Sequence, residues 1–419
     1  MDYPINQVEP LTMHVDLNSA FASAEQQANP CLRGRAIGVA ANLSPGGCII
    51  SPSIEAKKLG IKVGFRVKDA QMVCPDIVIV APDPDKYFHV HRSFSKIFKS
   101  YSPHVVPLSI DEAVIKFDGT LGHHGKSLVD IGYEIKQRMK DEVGDWIQCN
   151  VGIATNRFLA KLAASLHKPN GLDVITADNL RDILSNLALK DLSGINTRNA
   201  IRLEFAGIFT PIQFLDAPVW KLWKEVFNSI NGRHWYYRLR GYEVDDLTFK
   251  RKTYGQTYAL HKFTDDTDEL SKLMMKLCEK MGRRLRSSKQ YARGIHVWCG
   301  YRGFPGWHQG KKFNSEMYAT SDLHERAMGL LQGRTRGLKV THIGVTCFDL
   351  HSLEPRPLQL FETEDRKRMR VADALDALNN RYGEYSVYSS RMFGLDGEIV
   401  KRVPFHATTD TLSEIYFQD

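Results

Sequence analysis

The segment Ser109-Ile110-Asp111-Glu112-Ala113 places two adjacent carboxylates between two short apolar stretches. Residues 105–106 come before it and residues 113–117 follow it, and both stretches have the composition of strands. The pattern predicts a hairpin with Asp111 and Glu112 at its junction. Adjacent strand residues point to opposite faces of a sheet, so both carboxylates can serve one site only if the backbone bends there. Taken alone, an Asp-Glu pair usually consists of two solvated acidic side chains in a turn.

A third carboxylate, Asp16, stands at the end of the first apolar stretch, residues 11–17, which predicts a short strand. Phosphoryl transfer from a nucleoside triphosphate requires two divalent ions about 4 Å apart, and Mg²⁺ prefers oxygen ligands. A protein meets that need with carboxylates that converge from different strands. We therefore expect Asp16 to meet Asp111 and Glu112, and a separation above roughly 10 Å would exclude a two-metal centre.

The composition is that of a soluble globular protein with two to four domains, since the 419 residues are 43% hydrophobic and 25% charged. The net charge of +8 favours a polyanionic partner without identifying one. Seven cysteines without zinc-binding spacing indicate reduced thiols, as in a cytoplasmic protein. The first ten residues do not have the pattern of a secretory signal, and the sequence has no apolar stretch of roughly 18 residues, so we expect no membrane association.

Hydrophobic periodicity divides the chain into three parts. Residues 11–175 mix strands and helices in an α+β manner, residues 178–246 are mainly helical, and residues 254–395 return to strands and helices in alternation. The last part is expected to form a small separate domain with about four strands. Residues 247–253 are basic and aperiodic, which predicts a linker. The predicted strands are 11–17, 35–41, 77–80, 147–153, 295–299 and 343–347, and the predicted helices are 53–59, 85–101, 127–143, 156–166, 270–285, 323–331 and 369–382.

Three stretches together resemble the Y-family (translesion) DNA polymerases: Asp16-Leu17-Asn18, Ser100-Tyr101-Ser102-Pro103 and the segment from Ser109 to Ala113. The resemblance covers residues 11–395 and implies an α+β, right-hand polymerase fold. Its palm is a mixed sheet with helices, its fingers are small, its thumb is helical, and its little finger domain is βαββαβ-like. The implied boundaries are 1–19 and 86–175 for the palm, 20–85 for the fingers, 176–246 for the thumb, 247–253 for the linker, 254–395 for the little finger and 396–419 for a C-terminal tail.

The resemblance implies a nucleotidyltransferase that adds deoxynucleotides to a primer 3′-hydroxyl as a template directs, with low fidelity and across damaged DNA. Asp16, Asp111 and Glu112 would be its catalytic carboxylates, and the Leu17 carbonyl would complete the ligands of two Mg²⁺ ions. The implied partners are primer–template DNA and deoxynucleoside triphosphates (dNTPs). The implied location is a prokaryotic cytoplasm, in association with the nucleoid.

Four residues are implied to contact the incoming dNTP: Phe21, Ser51, Lys57 and Lys168. Phe21 matches the aromatic steric gate, whose ring excludes a ribose 2′-hydroxyl, although a Phe is more commonly a core residue. Ser51 and Lys57 lie in residues 51–60, which resemble the fingers segment. Lys57 stands where the family often has Arg, and it lacks the bidentate fork of Arg. Lys168 lies in a Lys-Pro-Asn-Gly turn typical of the family.

Two segments are implied to contact DNA. Residues 192–203 resemble a helix-hairpin-helix, with Gly194 and Asn196 at the hairpin. Asn196 replaces the usual second glycine, and Asn tolerates a left-handed backbone better than most residues. In the last domain Arg284 and Arg286 would line the DNA backbone, although cations at a helix end also complement its dipole.

The stretch Pro357-Leu358-Gln359-Leu360-Phe361 resembles a sliding-clamp-binding peptide in which Pro357 replaces the usual Gln. The alternative is a loop held in place by its apolar side chains. Two other functions fit parts of the overall pattern. A non-catalytic DNA-binding adaptor of the same fold would have lost the carboxylates, which are all present here. A nucleotide cyclase with a similar palm would need neither a thumb nor a basic last domain.

Overall fold

The computed structural model describes residues 3–246, 251–353 and 364–395. They belong to two compact units, one of residues 3–246 and one that begins at residue 251. In chain order the elements of the first unit are β1 (Thr12–Leu17), α1 (Ala20–Ala28), β2 (Ile37–Ala40), β3 (Ile49–Pro52), α2 (Ile54–Lys58), α3 (Val67–Val73), β4 (Val78–Val80), α4 (Pro84–Lys99), β5 (Val105–Pro107), β6 (Glu112–Lys116), α5 (Leu128–Arg138), β7 (Cys149–Ala154), α6 (Arg157–Leu166), β8 (Leu172–Val174), α7 (Leu180–Ser185), α8 (Thr197–Phe205), α9 (Pro211–Asp216), α10 (Val219–Lys221) and α11 (Ile230–Leu239). Those of the second unit are β9 (Thr253–Thr264), α12 (Thr267–Ser287), β10 (Gln290–Tyr301), β11 (Phe304–Met317), α13 (Thr320–Leu331), β12 (Val340–Ser352) and α14 (Glu364–Tyr382).

Each strand and helix predicted from the sequence has a counterpart, with ends that differ by a few residues. The predicted helix 127–143 is α5 followed by a π-helical turn, Met139–Val143. Gly60, which directly follows the predicted helix 53–59, has φ +88°, a conformation that a side chain rarely allows and that is typical of a glycine ending a helix. Of the predicted linker, residues 247–250 lie outside the described residues and Thr253 already belongs to β9.

A five-stranded sheet in the order β5-β6-β1-β7-β8 forms the centre of the first unit. β1 is antiparallel to both of its neighbours, β6 and β7. On one face, Met13, Val15 and Leu17 pack with residues of α4 and α5 in a common core. On the other face α6 lies close to β7, because Gly152 has no side chain. A Cβ on Gly152 would lie only 2.0 Å from the carbonyl oxygen of Ala160.

Two smaller parts complete the first unit. A three-stranded sheet in the order β3-β2-β4 carries α2, whose first turn is capped because the Ser53 side chain accepts a hydrogen bond from the Ala56 amide. Helices α7 to α11 pack around a shared apolar core that includes Leu203, Phe214 and Trp235. This helical part agrees with the periodicity of residues 178–246.

The second unit has a four-stranded antiparallel sheet in the order β11-β10-β12-β9. Helices α12 and α13 contribute to its apolar core, which includes Leu270, Ile295, Leu323 and Val345. The chain order β9-α12-β10-β11-α13-β12 is the expected βαββαβ arrangement, and α14 is an addition to it. Among the described residues, no helix is both long enough and apolar enough to cross a bilayer.

Candidate active site

The pairing of β1 with β6 brings two of the three predicted carboxylates together. Asp16 lies directly opposite Glu112 in the antiparallel register. His14 shares their face of the sheet, because it stands two residues before Asp16 on the same strand. One candidate ligand atom from each of His14, Asp16 and Glu112 lies within 4.8 Å of the other two. The convergence of Asp16 and Glu112 across the strands is therefore present in the fold.

Asp111 reaches the same region because the backbone bends just before β6. The amides of Leu108 and Ser109 both donate to the Glu112 carbonyl, at 3.0 and 3.2 Å, which closes a tight turn. The Leu17 amide donates to the Asp111 carbonyl at 2.9 Å. This bend allows Asp111 and Glu112 to serve one site, because adjacent residues of a straight strand would point to opposite faces of the sheet.

The carboxyl of Asp111 lies in a desolvated, negatively charged environment. Burial raises its pKa, and the negative charges of Asp16 and Glu112 act in the same direction. A hydrogen bond from the Ser109 hydroxyl to Asp111 opposes them. The negative charge of Asp111 is therefore costly in this environment, and a bound cation would reduce that cost.

Glu112 has the opposite balance. Burial alone would raise its pKa, but the hydrogen bond and electrostatic interaction with His14, together with those of Lys161, lower the pKa to about 2. The His14 Nε2 lies 3.1 Å and the Lys161 Nζ lies 2.7 Å from the same oxygen, Oε2. Glu112 is therefore held as a carboxylate whose orientation is fixed by two donors.

Lys168 meets Asp16 through a turn that is tied to the central sheet. Its Nζ lies 2.7 Å from the Asp16 carboxylate. Two amides of the turn donate to asparagine side chains of the sheet region, Asn170 to Asn18 and Gly171 to Asn150, each at 2.8 Å. These bonds fix the Lys-Pro-Asn-Gly turn beside the carboxylates.

Phe21 lies on α1 and is 8% exposed. Its ring stacks on Tyr87 of α4, with ring centroids 4.3 Å apart. The Tyr87 hydroxyl donates to Glu25 at 2.9 Å, and Lys86 pairs with the same carboxylate at 2.7 Å. The ring of Phe21 thus has a rigid support on one side.

Lys57, one of the two predicted contacts in the fingers segment, interacts electrostatically with Asp16 and Asp111. Desolvation and the neighbouring Lys168 ammonium lower the pKa of Lys57, whereas Asp16 and Asp111 act in the opposite direction. Ser51 is buried, and its hydroxyl accepts a hydrogen bond from the Ala22 amide at 3.3 Å. Ser51 therefore anchors the start of α1, next to Phe21.

The hairpin at residues 192–203 needs a left-handed backbone at Gly194 and not at Asn196. Gly194 has φ +94°, whereas Asn196 has φ −87° and precedes α8 as its cap residue. Asn196 does not use the left-handed tolerance expected of it, because the left-handed residue of the turn lies two residues earlier, at Gly194. The replacement of glycine by Asn196 is accordingly compatible with the hairpin.

Arg286 requires a correction, because its side chain is used inside the second unit. The guanidinium is only 4% exposed, pairs with Asp376 at 2.6 Å and donates to the Tyr318 carbonyl at 3.0 Å. A side chain held in this way does not line a DNA backbone. Arg284, two residues earlier, lies with its guanidinium 5.6 Å from the ring of Tyr254. The clamp-binding candidate at residues 357–361 lies outside the described residues.

Sequence reasoning missed two histidines that support this site. His14 contacts Glu112, and its position two residues before Asp16 was the available signal. His91 of α4 lies with Nδ1 2.9 Å from the carbonyl oxygen of Ile110, in the bend that carries Asp111. Burial lowers the pKa of His91 to about 4, so it contacts this carbonyl as a neutral donor. Only the fold brings His91 to that position.

Comparison with known proteins assigns the chain to a family. The impB/mucB/samB family matches residues 15–165, and the C-terminal domain of that family matches residues 251–360. DNA polymerase IV of Moorella thermoacetica is 30% identical over 380 residues, which make up 89% of this chain and 94% of that protein. DNA polymerase IV of Bacillus velezensis is 26% identical over 417 residues, or 98% of each protein.

Solved structures share the fold. A Y-family DNA polymerase chimera of Dbh and Dpo4 matches with a TM-score of 0.70 at 23% identity, over 82% of this chain and 99% of that one. An insertion ternary complex of Dbh DNA polymerase matches with a TM-score of 0.54 over the same shares. These matches confirm the α+β, right-hand polymerase fold. The chain therefore belongs to the Y family of DNA polymerases, and it is a DNA-directed DNA polymerase of translesion synthesis.

Proposed function

We propose that Asp16, Asp111 and Glu112, with the Leu17 carbonyl, hold two Mg²⁺ ions for nucleotidyl transfer. Y-family polymerases are metal-dependent, and an acidic cluster is present in this chain. The observation that carries the proposal is the register of β1 and β6, which sets Asp16 opposite Glu112. The donors fit the ion, since Mg²⁺ prefers carboxylate and carbonyl oxygens.

The bound ions would lower the pKa of the primer 3′-hydroxyl and neutralise charge on the triphosphate. The protein's own part is positioning, with carboxylates fixed on a rigid sheet and cations placed beside them. Lys168 supports this role because its ammonium lies 2.7 Å from Asp16, within reach of a triphosphate held at the same carboxylate. Lys57 would add a second point charge from α2.

Phe21 would be the residue that selects deoxyribose. The stacked Tyr87 supports its ring, and Glu25 fixes Tyr87 by a hydrogen bond of 2.9 Å. A ring that cannot retreat excludes a 2′-hydroxyl more effectively than a mobile one, because displacement would break a stacked contact. The same burial also suits a core aromatic, so sugar discrimination has to be measured.

Domain roles follow the boundaries expected from the sequence. We assign residues 1–19 and 86–175 to the palm, 20–85 to the fingers, 176–246 to the thumb and 254–395 to the little finger. The left-handed turn at Gly194 supports a hairpin that presents amides to DNA phosphates. Arg284 is the proposed contact of the little finger, and residues 357–361 are a proposed clamp-binding peptide on sequence grounds alone.

Primer extension by the full-length chain, with a primer–template, dNTPs and Mg²⁺, tests the proposal. Asp111→Ala is expected to abolish extension and to leave the affinity for primer–template nearly unchanged, because Asp111 holds metal and not DNA. Asp141→Ala, on an exposed acidic residue of the turn after α5, is the matched control and should extend normally. Tight DNA binding by the wild-type chain without any extension would favour the non-catalytic adaptor.

A further inference from the structure

His14 is a fully buried histidine on the strand that carries Asp16, and the chemistry proposed above gives it no part. Its side chain is 0% exposed. In the β1–β7 register His14 lies opposite Gly152, the residue over which α6 passes closely. The imidazole is therefore enclosed between the central sheet and its covering helix, and it has little freedom to move.

The one hydrogen bond shown for this ring goes to a proposed metal ligand. The Nε2 of His14 lies 3.1 Å from Oε2 of Glu112. An ionised carboxylate only accepts hydrogen bonds, so the proton of this bond resides on Nε2. Within the described part of the chain, the buried Nδ1 has no hydrogen-bond partner. The ring is thus committed to Glu112.

The two oxygens of Glu112 have different surroundings. Oε2 receives both His14 and Lys161, at 3.1 and 2.7 Å. Among residues 3–246, 251–353 and 364–395, no group donates a hydrogen bond to Oε1. The two donors occupy the lone pairs of Oε2, so Oε1 remains available to a cation. Lys161 is a long side chain that is 37% exposed, whereas His14 is enclosed, so the rigid partner is His14.

We propose that His14 is a positioning residue that holds Glu112 through Oε2, so that Oε1 is the oxygen presented to the divalent cation. The proposal rests on the metal site described under the proposed function. Outer partners of this kind restrict the orientation of a ligand, and their loss typically weakens metal binding about 10- to 100-fold. The same restriction would lower the Mg²⁺ concentration at which the polymerase works.

Binding of Mn²⁺ tests this role without turnover. The full-length chain is mixed with a dideoxy-terminated primer–template and the matching dNTP, and free Mn²⁺ is followed by electron paramagnetic resonance. His14→Leu, which has no donor, is expected to weaken Mn²⁺ binding about tenfold or more. His14→Gln keeps an N–H donor at a similar reach and should restore most of the affinity. Thr12→Val is the matched control, since Thr12 is buried on the same face of β1 and should leave the affinity unchanged.

The outcomes separate the two levels of the proposal. If the wild-type chain binds no Mn²⁺, the metal site itself is wrong and His14 loses its role with it. If the wild type binds and His14→Leu binds equally well, only the role of His14 is overturned. Direct coupling of the imidazole nitrogen to Mn²⁺ would also overturn it, because His14 would then be a ligand. Should His14→Leu fail to fold, His14→Ala is read in the same way: a tenfold loss of Mn²⁺ affinity that His14→Gln largely restores supports the role, and wild-type affinity overturns it.

Discussion

Lys168 places its ammonium 2.7 Å from the carboxylate of Asp16, although 152 residues separate the two in the sequence. The contact exists because the turn that carries Lys168 is tied to the sheet by the side chains of Asn18 and Asn150. The proposed triphosphate-binding cation and the proposed metal-binding carboxylate are thus set side by side by hydrogen bonds from backbone amides to asparagine side chains. Their relative position does not depend on the conformation of a flexible loop.

Lys168→Met is expected to raise the KM for dNTP about 10- to 100-fold, because a charge-assisted hydrogen bond contributes about 1.5–3 kcal/mol. Single-nucleotide insertion kinetics measure the effect. Lys96→Met, on the exposed side of α4, is the matched control and should keep the wild-type KM. An unchanged KM in the Lys168 variant would remove Lys168 from the nucleotide site.

Phe21→Ala is expected to raise ribonucleotide insertion relative to deoxynucleotide insertion by at least about tenfold, because the ring that meets the 2′-position is gone. Tyr87→Phe keeps the stacked ring and loses only the hydrogen bond to Glu25, so it should change sugar discrimination little. Competition between ribonucleotides and deoxynucleotides in a primer-extension assay gives the ratio. Equal discrimination by wild type and Phe21→Ala would leave Phe21 as a core aromatic.

Arg286→Met is expected to destabilise the second unit by about 3 kcal/mol, because it leaves Asp376 without its buried partner. Affinity for primer–template should change little, since the guanidinium is 4% exposed. Denaturant unfolding and DNA titration of the same variant separate the two effects. A loss of DNA affinity with unchanged stability would contradict the internal role and restore Arg286 as a DNA contact.

Glu279 of α12 is a desolvated carboxyl in the second unit. Burial raises its pKa to about 7. Arg286 and Arg283 oppose the increase, whereas the carboxylates of Asp376 and Glu384 add to it. The folded protein therefore binds this proton more tightly than the unfolded chain does. The stability gained from it is complete below the unfolded pKa of about 4.3 and is lost as the pH rises through about 7.

Glu279→Gln is accordingly expected to raise the Tm by a few degrees at about pH 8.5 and to change it little at about pH 5. Glu325→Gln, on an exposed residue of α13, is the control and should shift neither value. Thermal unfolding of the full-length variants gives the comparison. A Glu279→Gln protein that is less stable than wild type at the higher pH would show that the charged form is favoured in the fold.

The sequence was sufficient for the elements whose apolar residues have a clear period. Apolar residues alternate along β1 and recur at helical spacing along α6, and these elements position Asp16 and Lys161. β6 is a short run of consecutive buried residues, and it positions Glu112. β11 carried no such signal. In the described part of the chain it is an edge strand that pairs only with β10, most of its side chains are exposed, and its sequence includes Pro305 and two glycines.

The supporting contacts of the site could not be predicted from the sequence in the same way, because they depend on how strands and helices that are distant in the sequence pack together. His91 meets the Ile110 carbonyl only after α4 has packed on the sheet. Arg286 looked like a basic surface residue because its partner, Asp376, lies on α14, 90 residues later. The charged residues of the sequence therefore indicated the region of the site, but they did not indicate which contacts an individual arginine makes.

Anomalous scattering from Mn²⁺ tests the two-metal centre most directly, in crystals of the chain with a dideoxy-terminated primer–template and the matching dNTP. Two peaks about 4 Å apart are expected, both within coordination distance of oxygen atoms of Asp16, Asp111 or Glu112. A complex with bound dNTP in which these carboxylates hold no anomalous peak, or in which the peaks lie elsewhere, would contradict the proposed centre.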